Sequence, residues 1–254
     1  MKKLLKYDFF YLRKTSKFIV FGAIFILFSI VSPLTAKYIE EILSFLLNGQ
    51  DLGLPLPDPT VFTSYEQYLS DLYEIVFIVT IFVAVSIFIR DKTKNLLPLI
   101  FSKPINRTKY ILSKYITFAI LLLCSIIVGY LVFSYYTYFL FDEVFFGIGL
   151  IIMFLYWVDL LFVTSIALFS ATHFKSYLPA ILITWGLYIV SSLFNLFGEV
   201  KVIKHFPSMI KTNMIHLLYD IHTTSDIIWN VVVTILFIGL FLGLSIRKIR
   251  SQDI

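Results

Sequence analysis

Residues 90–114 read RDKTKNLLPLIFSKPINRTKYILSK. The stretch carries seven basic residues and one acid, and an apolar run lies on either side of it. Its place in the fold follows from those flanks. Of the 254 residues, 59% are hydrophobic and 15% charged, and mean hydropathy is +0.90. An ordinary soluble domain is about 45–50% apolar and about 25% charged. The excess lies in blocks of about twenty residues, the length that crosses a hydrocarbon layer of roughly 30 Å as a helix. Only a helix satisfies its own backbone groups within one such block. The expectation is an all-α polytopic membrane protein forming a single domain over residues 1–254. Its six predicted spans cover residues 18–36, 72–89, 115–140, 147–171, 177–198 and 227–246.

Lysine and arginine set the orientation. Six precede the first span, one follows it, and seven fill residues 90–114. None lies in the third loop, one in the fourth, three in the fifth, and three after the last span. Alternate segments thus hold seventeen on one side and four on the other. The positive-inside rule places the seventeen in the cytoplasm, and with them both termini and the 90–114 loop. A cell-membrane protein with cytoplasmic ends is expected, and no cleavable signal peptide is read at the N-terminus. The net charge of +5 reports this topology. It does not indicate nucleic-acid binding, because the basic residues sit beside membrane ends and not on a separate domain.

Orientation explains the charge of the 90–114 loop but not its length. Two membrane helices can be joined by a few residues. Here Leu96, Leu97, Ile100 and Phe101 have the spacing of a short surface helix over residues 92–101. Pro98 disturbs it and Pro104 breaks it, and Asn106 or Thr108 is placed to cap the next span. A projecting element of this kind is a contact surface.

The order Asp91-Lys92, Leu96-Leu97, Ser102-Lys103-Pro104-Ile105-Asn106-Arg107 and Lys114 resembles the loop between spans two and three of permeases in type-2 ATP-binding-cassette (ABC) exporters. The segments SPLTAKYIEEIL (residues 32–43) and LPLPDPTVFTSYEQYLSD (residues 54–71) also resemble that family's first outer region. Within the family the chain looks closest to permeases that export phenol-soluble modulins, with those of peptide-resistance exporters as the alternative. Lys94-Asn95 stands where the family usually has Gly-Thr.

The resemblance implies a mechanism. Residues 90–114 would be a cytoplasmic coupling loop docking on a separate ATPase subunit. The contact set would be Asp91, Lys92, Thr93, Lys94, Asn95, Leu96, Leu97, Ile100, Phe101, Lys103 and Pro104. ATP and magnesium would sit on that partner and no cofactor on this chain. A second permease chain, identical or paralogous, would complete the pathway for an amphipathic peptide or lipid-like substrate. The chain has no G-x-x-x-x-G-K-[S/T] phosphate loop, so ATP would not bind here in that manner. No enzymatic activity is expected of this subunit.

Other features carry weaker signals. Residues 1–17 pattern as an interfacial helix: Lys3, Lys6, Arg13, Lys14 and Lys17 share one arc and Leu5, Phe9 and Leu12 the next, with Asp8 and Phe10 out of pattern. By resemblance this is the elbow helix. Ile39, Ile42, Leu43 and Leu46 suit a short outer helix, as do Ile210, Met214, Leu217, Leu218 and Ile221. Asp159 lies mid-span, where an ionisable group costs roughly 2.5–3.5 kcal/mol. It should therefore face other helices, with Thr164, Tyr156 or Trp185 as partners. His205, His216 and His222 lack metal-ligand spacing, so no metal is expected. Cys124 is the chain's single cysteine and cannot form an intrachain disulfide. Two rival readings are a membrane-embedded enzyme, which needs more polar residues at depth than Asp159, and a non-transporting assembly or sensor protein that docks a cytoplasmic partner.

Overall fold

Between Thr60 and Leu97 there is neither glycine nor proline, so nothing local interrupts a helix there. The computed structural model, which describes residues 1–46, 58–102, 105–197, 203–219, 221 and 224–251, carries one helical rod across that region. The described residues are helical with no strand. Helix α1 covers Lys2–Lys14, α2 Lys17–Lys37, α3 Ile39–Leu46 and α4 Val61–Asp71. A single π-helical turn, Leu72–Val76, joins α4 to α5 (Phe77–Thr93). Next come α6 (Leu97–Phe101), α7 (Arg107–Phe141), α8 (Phe146–His173), α9 (Tyr177–Leu193), α10 (Ile210–Leu218) and α11 (Thr224–Arg250).

Five of these stretches are long and apolar enough to cross a membrane: Lys17–Lys37, Val61–Thr93, Arg107–Phe141, Phe146–His173 and Thr224–Arg250. The fifth predicted span is shorter than expected. Helix α9 has 17 residues, roughly 25 Å at 1.5 Å per residue, and passes into a 3₁₀ turn at Phe194–Phe197.

The second span corrects the sequence expectation in the other direction. Its helix begins at Val61 and not at residue 72. Thr60 caps it reciprocally: the Thr63 N–H donates to the Thr60 hydroxyl (3.4 Å) and the Thr60 N–H to the Thr63 hydroxyl (2.9 Å). Residues of α4 that look like an outer loop make partly or fully buried polar contacts. The Ser32 hydroxyl donates to Asp71 (2.6 Å), as does the Gln67 amide (3.0 Å). Tyr68 lies against Phe133 of α7 at 4.2 Å between ring centroids, and its hydroxyl pairs with Ser29 of α2.

Helix α8 lies at the centre, packed by α5, α7, α9 and α11. Its Leu160, Val163, Ala167 and Leu168 are buried. One end of the bundle gathers the basic segments. There the Asp8 carboxylate of α1 accepts from Ser113 of α7 (2.6 Å). Lys17 at the start of α2 donates to Ser86 of α5 (2.6 Å). Arg107 at the start of α7 donates to the Ile249 and Arg250 carbonyls that end α11 (3.0 and 3.1 Å). At the other end α10 buries Ile210, Met214, Leu217 and Leu218, while Ile221 is exposed. The predicted N-terminal helix ends at Lys14, and Lys17 belongs to α2. The Asp8 that broke its surface pattern points inward, where burial pushes its carboxyl above the ordinary range against the pull of Lys114 and Ser113.

Candidate functional site

The 90–114 loop is built from a tightly closed turn. Helix α5 ends at Thr93, with Lys94 as its C-cap. Asn95 adopts φ 52°, the left-handed region that asparagine tolerates better than most residues. The Leu96 N–H donates to the Asp91 carbonyl (2.8 Å) and the Asn95 N–H to the Lys92 carbonyl (3.2 Å). This is a Schellman closure with asparagine in the position usually held by glycine. Lys94-Asn95 thus makes the turn without a glycine. Five residues, Leu97–Phe101, then form α6. Pro98 stands in its first turn, where a missing N–H costs nothing. The surface helix is therefore shorter than the expected 92–101, because residues 92 and 93 still belong to α5.

The expected contact residues divide in the structure. Asp91 is buried, with 1% of its surface exposed. Its Oδ2 accepts from Lys114 Nζ (2.8 Å) and from the Tyr110 hydroxyl (2.7 Å), and Arg90 lies 3.9 Å from Oδ1. Lys114 is itself 4% exposed. Asp91, expected on the contact surface, is instead the internal fastening between α5 and α7. A partly buried Lys92 donates to the Thr172 carbonyl at the end of α8 (2.8 Å). The Thr93 hydroxyl donates back to the Arg90 carbonyl (3.0 Å). Leu97, Ile100 and Phe101 pack against the core, and Phe101 meets Tyr110 edge-on at 5.3 Å. Lys94 and Asn95 are exposed and Leu96 is half-buried. Lys103 and Pro104 lie outside the described residues.

What the sequence reading missed is Leu99. It is 69% exposed, an apolar side chain held outward beside the exposed Pro98, while Leu97, Ile100 and Phe101 of the same turn face in. Its signal was in the pattern: once Leu97, Ile100 and Phe101 take the inner face, Leu99 falls on the outer one.

Arg90 adds α1 to this assembly, its guanidinium lying 3.4 Å from the centroid of the Tyr11 ring. Arg90, Asp91, Tyr110 and Lys114 thus join α1, α5 and α7 at the base of α6.

A second polar cluster lies deeper. Asp159 is 1% exposed and its Oδ2 accepts from the Tyr73 hydroxyl (2.8 Å). The partner comes from the second span and is none of the three expected. Tyr73 belongs to the π turn, which sets the residues before and after it out of α-helical phase. The Tyr156 hydroxyl donates to the Leu72 carbonyl in the same turn (3.0 Å). Lys211 of α10 reaches to 4.7 Å from the centroid of the Tyr73 ring, so a cation from outside the spans approaches the cluster. Asp159→Leu removes the acceptor of the Tyr73 hydroxyl and should cost about 0.6–2 kcal/mol, the range for intramembrane hydrogen bonds. Asp159→Asn retains an acceptor and should melt close to wild type. Thermal unfolding of both variants in detergent checks this; an equal loss in the two would show that charge, not hydrogen bonding, matters.

Among the described residues no cluster of histidine, cysteine, aspartate or glutamate could hold a metal ion. His222 lies outside the described residues. In comparisons with known proteins, no family model and no curated protein matches this chain.

Proposed function

We propose that the chain is the membrane-spanning subunit of an ATP-driven exporter with six spans, α9 serving as the fifth, and with both termini in the cytoplasm. In this reading α6 docks on a separate ABC ATPase that holds ATP and magnesium. A second permease chain completes the pathway, and the substrate is an amphipathic peptide or a lipid-like molecule. The observation that carries the reading is the geometry of the loop: a short helix at the basic end of the bundle holds Leu99 outward while its inner residues grip the core. The Asp91–Lys114 pair at its base would carry a push on α6 into α5 and α7.

Burying a leucine side chain is worth about 1.5–3 kcal/mol, so Leu99→Asp should weaken ATPase binding by roughly tenfold to a hundredfold. Leu97→Asp is a poorer test, because Leu97 packs on the core and its loss would disturb the fold. The full chain is purified from its native membranes and the co-purifying ATPase is assayed for stimulation by an amphipathic peptide. Recovery of an active, peptide-stimulated ATPase with wild-type chain, and its loss with a normally melting Leu99→Asp variant, is the expected result. Equal recovery with the variant removes α6 as the docking element. Absence of any ATPase favours the assembly-protein reading.

A further inference from the structure

We infer that the chain binds an anionic phospholipid in the cleft between α1 and the spans α2 and α7. The cleft is open and about 580 Å³ in volume, with Lys6 and Arg13 on its α1 side. Its walls differ in chemistry. Both cations come from α1, two turns apart on the same helix. The walls from α2 and α7 are Phe18, Ile120, Leu121 and Cys124, none of them charged. No acid lines the cleft, and neither Lys6 nor Arg13 forms a salt bridge among the described residues.

Depth supports a lipid over a free anion. Cys124 lies seventeen residues into α7, roughly 25 Å along its axis from Arg107 at 1.5 Å per residue. Arg107 is beside the end of α11 at the basic end of the bundle. The third span is expected from residue 115, so the apolar wall at Cys124 reaches roughly 14 Å into a hydrocarbon layer of roughly 30 Å, while the cations stay on the helix that precedes the first span. A phosphate on Lys6 and Arg13 with an acyl chain along Phe18, Ile120 and Cys124 satisfies both walls at once. A free phosphate leaves the apolar wall open, and a neutral lipid leaves the cations unmatched.

Helix α1 is tied to the rest by Asp8–Ser113, by Arg90 on Tyr11 and by the buried Leu12. A lipid in this cleft would thus bear on the helix that also touches the base of α6.

Cys124 is the chain's only cysteine, it is exposed, and it lines the cleft, so its alkylation reports occupancy. The full chain in dodecyl maltoside is treated with N-ethylmaleimide while dioleoyl phosphatidylglycerol or phosphatidylcholine is titrated in. Phosphatidylglycerol should slow alkylation at a lower mole fraction than phosphatidylcholine. Each basic group near a lipid surface contributes on the order of fivefold in affinity. The double variant Lys6→Gln/Arg13→Gln should therefore need roughly thirtyfold more phosphatidylglycerol for the same protection. Lys2→Gln, on the same helix but outside the cleft, should not shift it. All four side chains involved are exposed or line an open cleft, and unchanged melting temperatures confirm that the variants fold. Equal protection by phosphatidylcholine, protection by glycerol phosphate alone, or an equal shift in Lys2→Gln would overturn the inference. So would protection by a cationic amphipathic peptide but not by lipid, or protection that follows protein concentration in the absence of lipid.

Discussion

Asp91→Ala is expected to strip about 3–5 kcal/mol from the stability of the bundle, the usual cost of removing one partner from a buried ion pair. The pair itself is not the source of that number. Two charges taken from water are repaid only while they face each other. With Asp91 gone, the Lys114 ammonium, 4% exposed, keeps one long hydrogen bond to the Ile87 carbonyl at 3.4 Å, the Tyr110 ring at 5.2 Å and the more distant pull of Asp8, and the Tyr110 hydroxyl loses its acceptor. A double variant that removes both charges, Asp91→Leu with Lys114→Met, should recover part of the loss, since it no longer leaves the Lys114 charge buried without Asp91, while the Tyr110 hydroxyl still lacks its acceptor. Thermal unfolding in detergent of wild type, Asp91→Leu, Lys114→Met and the double variant gives the cycle, with Asp91→Ala measured beside them. The same experiment separates two roles for Asp91. A residue that only contacts a partner subunit leaves the isolated chain's melting temperature unchanged when replaced. An Asp91→Ala variant that melts with wild type would remove the internal fastening argued above and return Asp91 to the contact surface.

That expectation was not legible in the sequence, and the reason is general. An aspartate beside a lysine in a loop of seven basic residues looks solvated, because a buried ion pair leaves no periodic trace. Lys114 lies 23 positions away, and only packing α5 on α7 brings the two together. What periodicity does record was read correctly: the apolar blocks of spans one, three, four and six and the inward burial of Asp159; of the two cap candidates, Asn106 and Thr108, the structure uses Asn106, whose side chain accepts from the Thr108 N–H (2.9 Å). The second span was misplaced for the converse reason. Ser64, Tyr65, Gln67, Tyr68 and Asp71 lower the hydropathy of α4 until it resembles a loop. Yet Tyr65 and Tyr68 are fully buried, and Asp71 is held by Ser32 and Gln67. Polar residues that satisfy one another are invisible to a hydropathy window. The π turn is invisible too, since one extra residue in a helix changes no composition. It nevertheless decides which side chain meets Asp159.

Gly149→Ala should destabilise the bundle by about 1–3 kcal/mol, as overpacking of a well-filled core does. Gly149 lies in the first turn of α8 and is buried against Tyr130 of α7. The Tyr130 ring is laid across that turn, its hydroxyl donating to the Phe146 carbonyl (2.8 Å). A methyl group at Gly149 would meet that hydroxyl and stand 2.7 Å from Cζ and 2.8 Å from Cε2 of the ring. The ring has little room to retreat: Tyr130 is 1% exposed, with Phe133 at 6.3 Å and Phe146 at 5.5 Å between centroids. Accommodating the methyl would pull the hydroxyl from its carbonyl or part α7 from α8, and either costs more than the helix propensity that alanine returns, up to about 1 kcal/mol. Gly147 supplies the control. It is two residues earlier in the same turn, and nothing lies within 4 Å of its added methyl. Gly147→Ala should therefore melt at or slightly above the wild-type temperature. A fall for Gly149→Ala alone places the close approach of α7 and α8 at this turn. Equal melting of the two variants would mean that Tyr130 does not cross Gly149, and that no close packing requires glycine there.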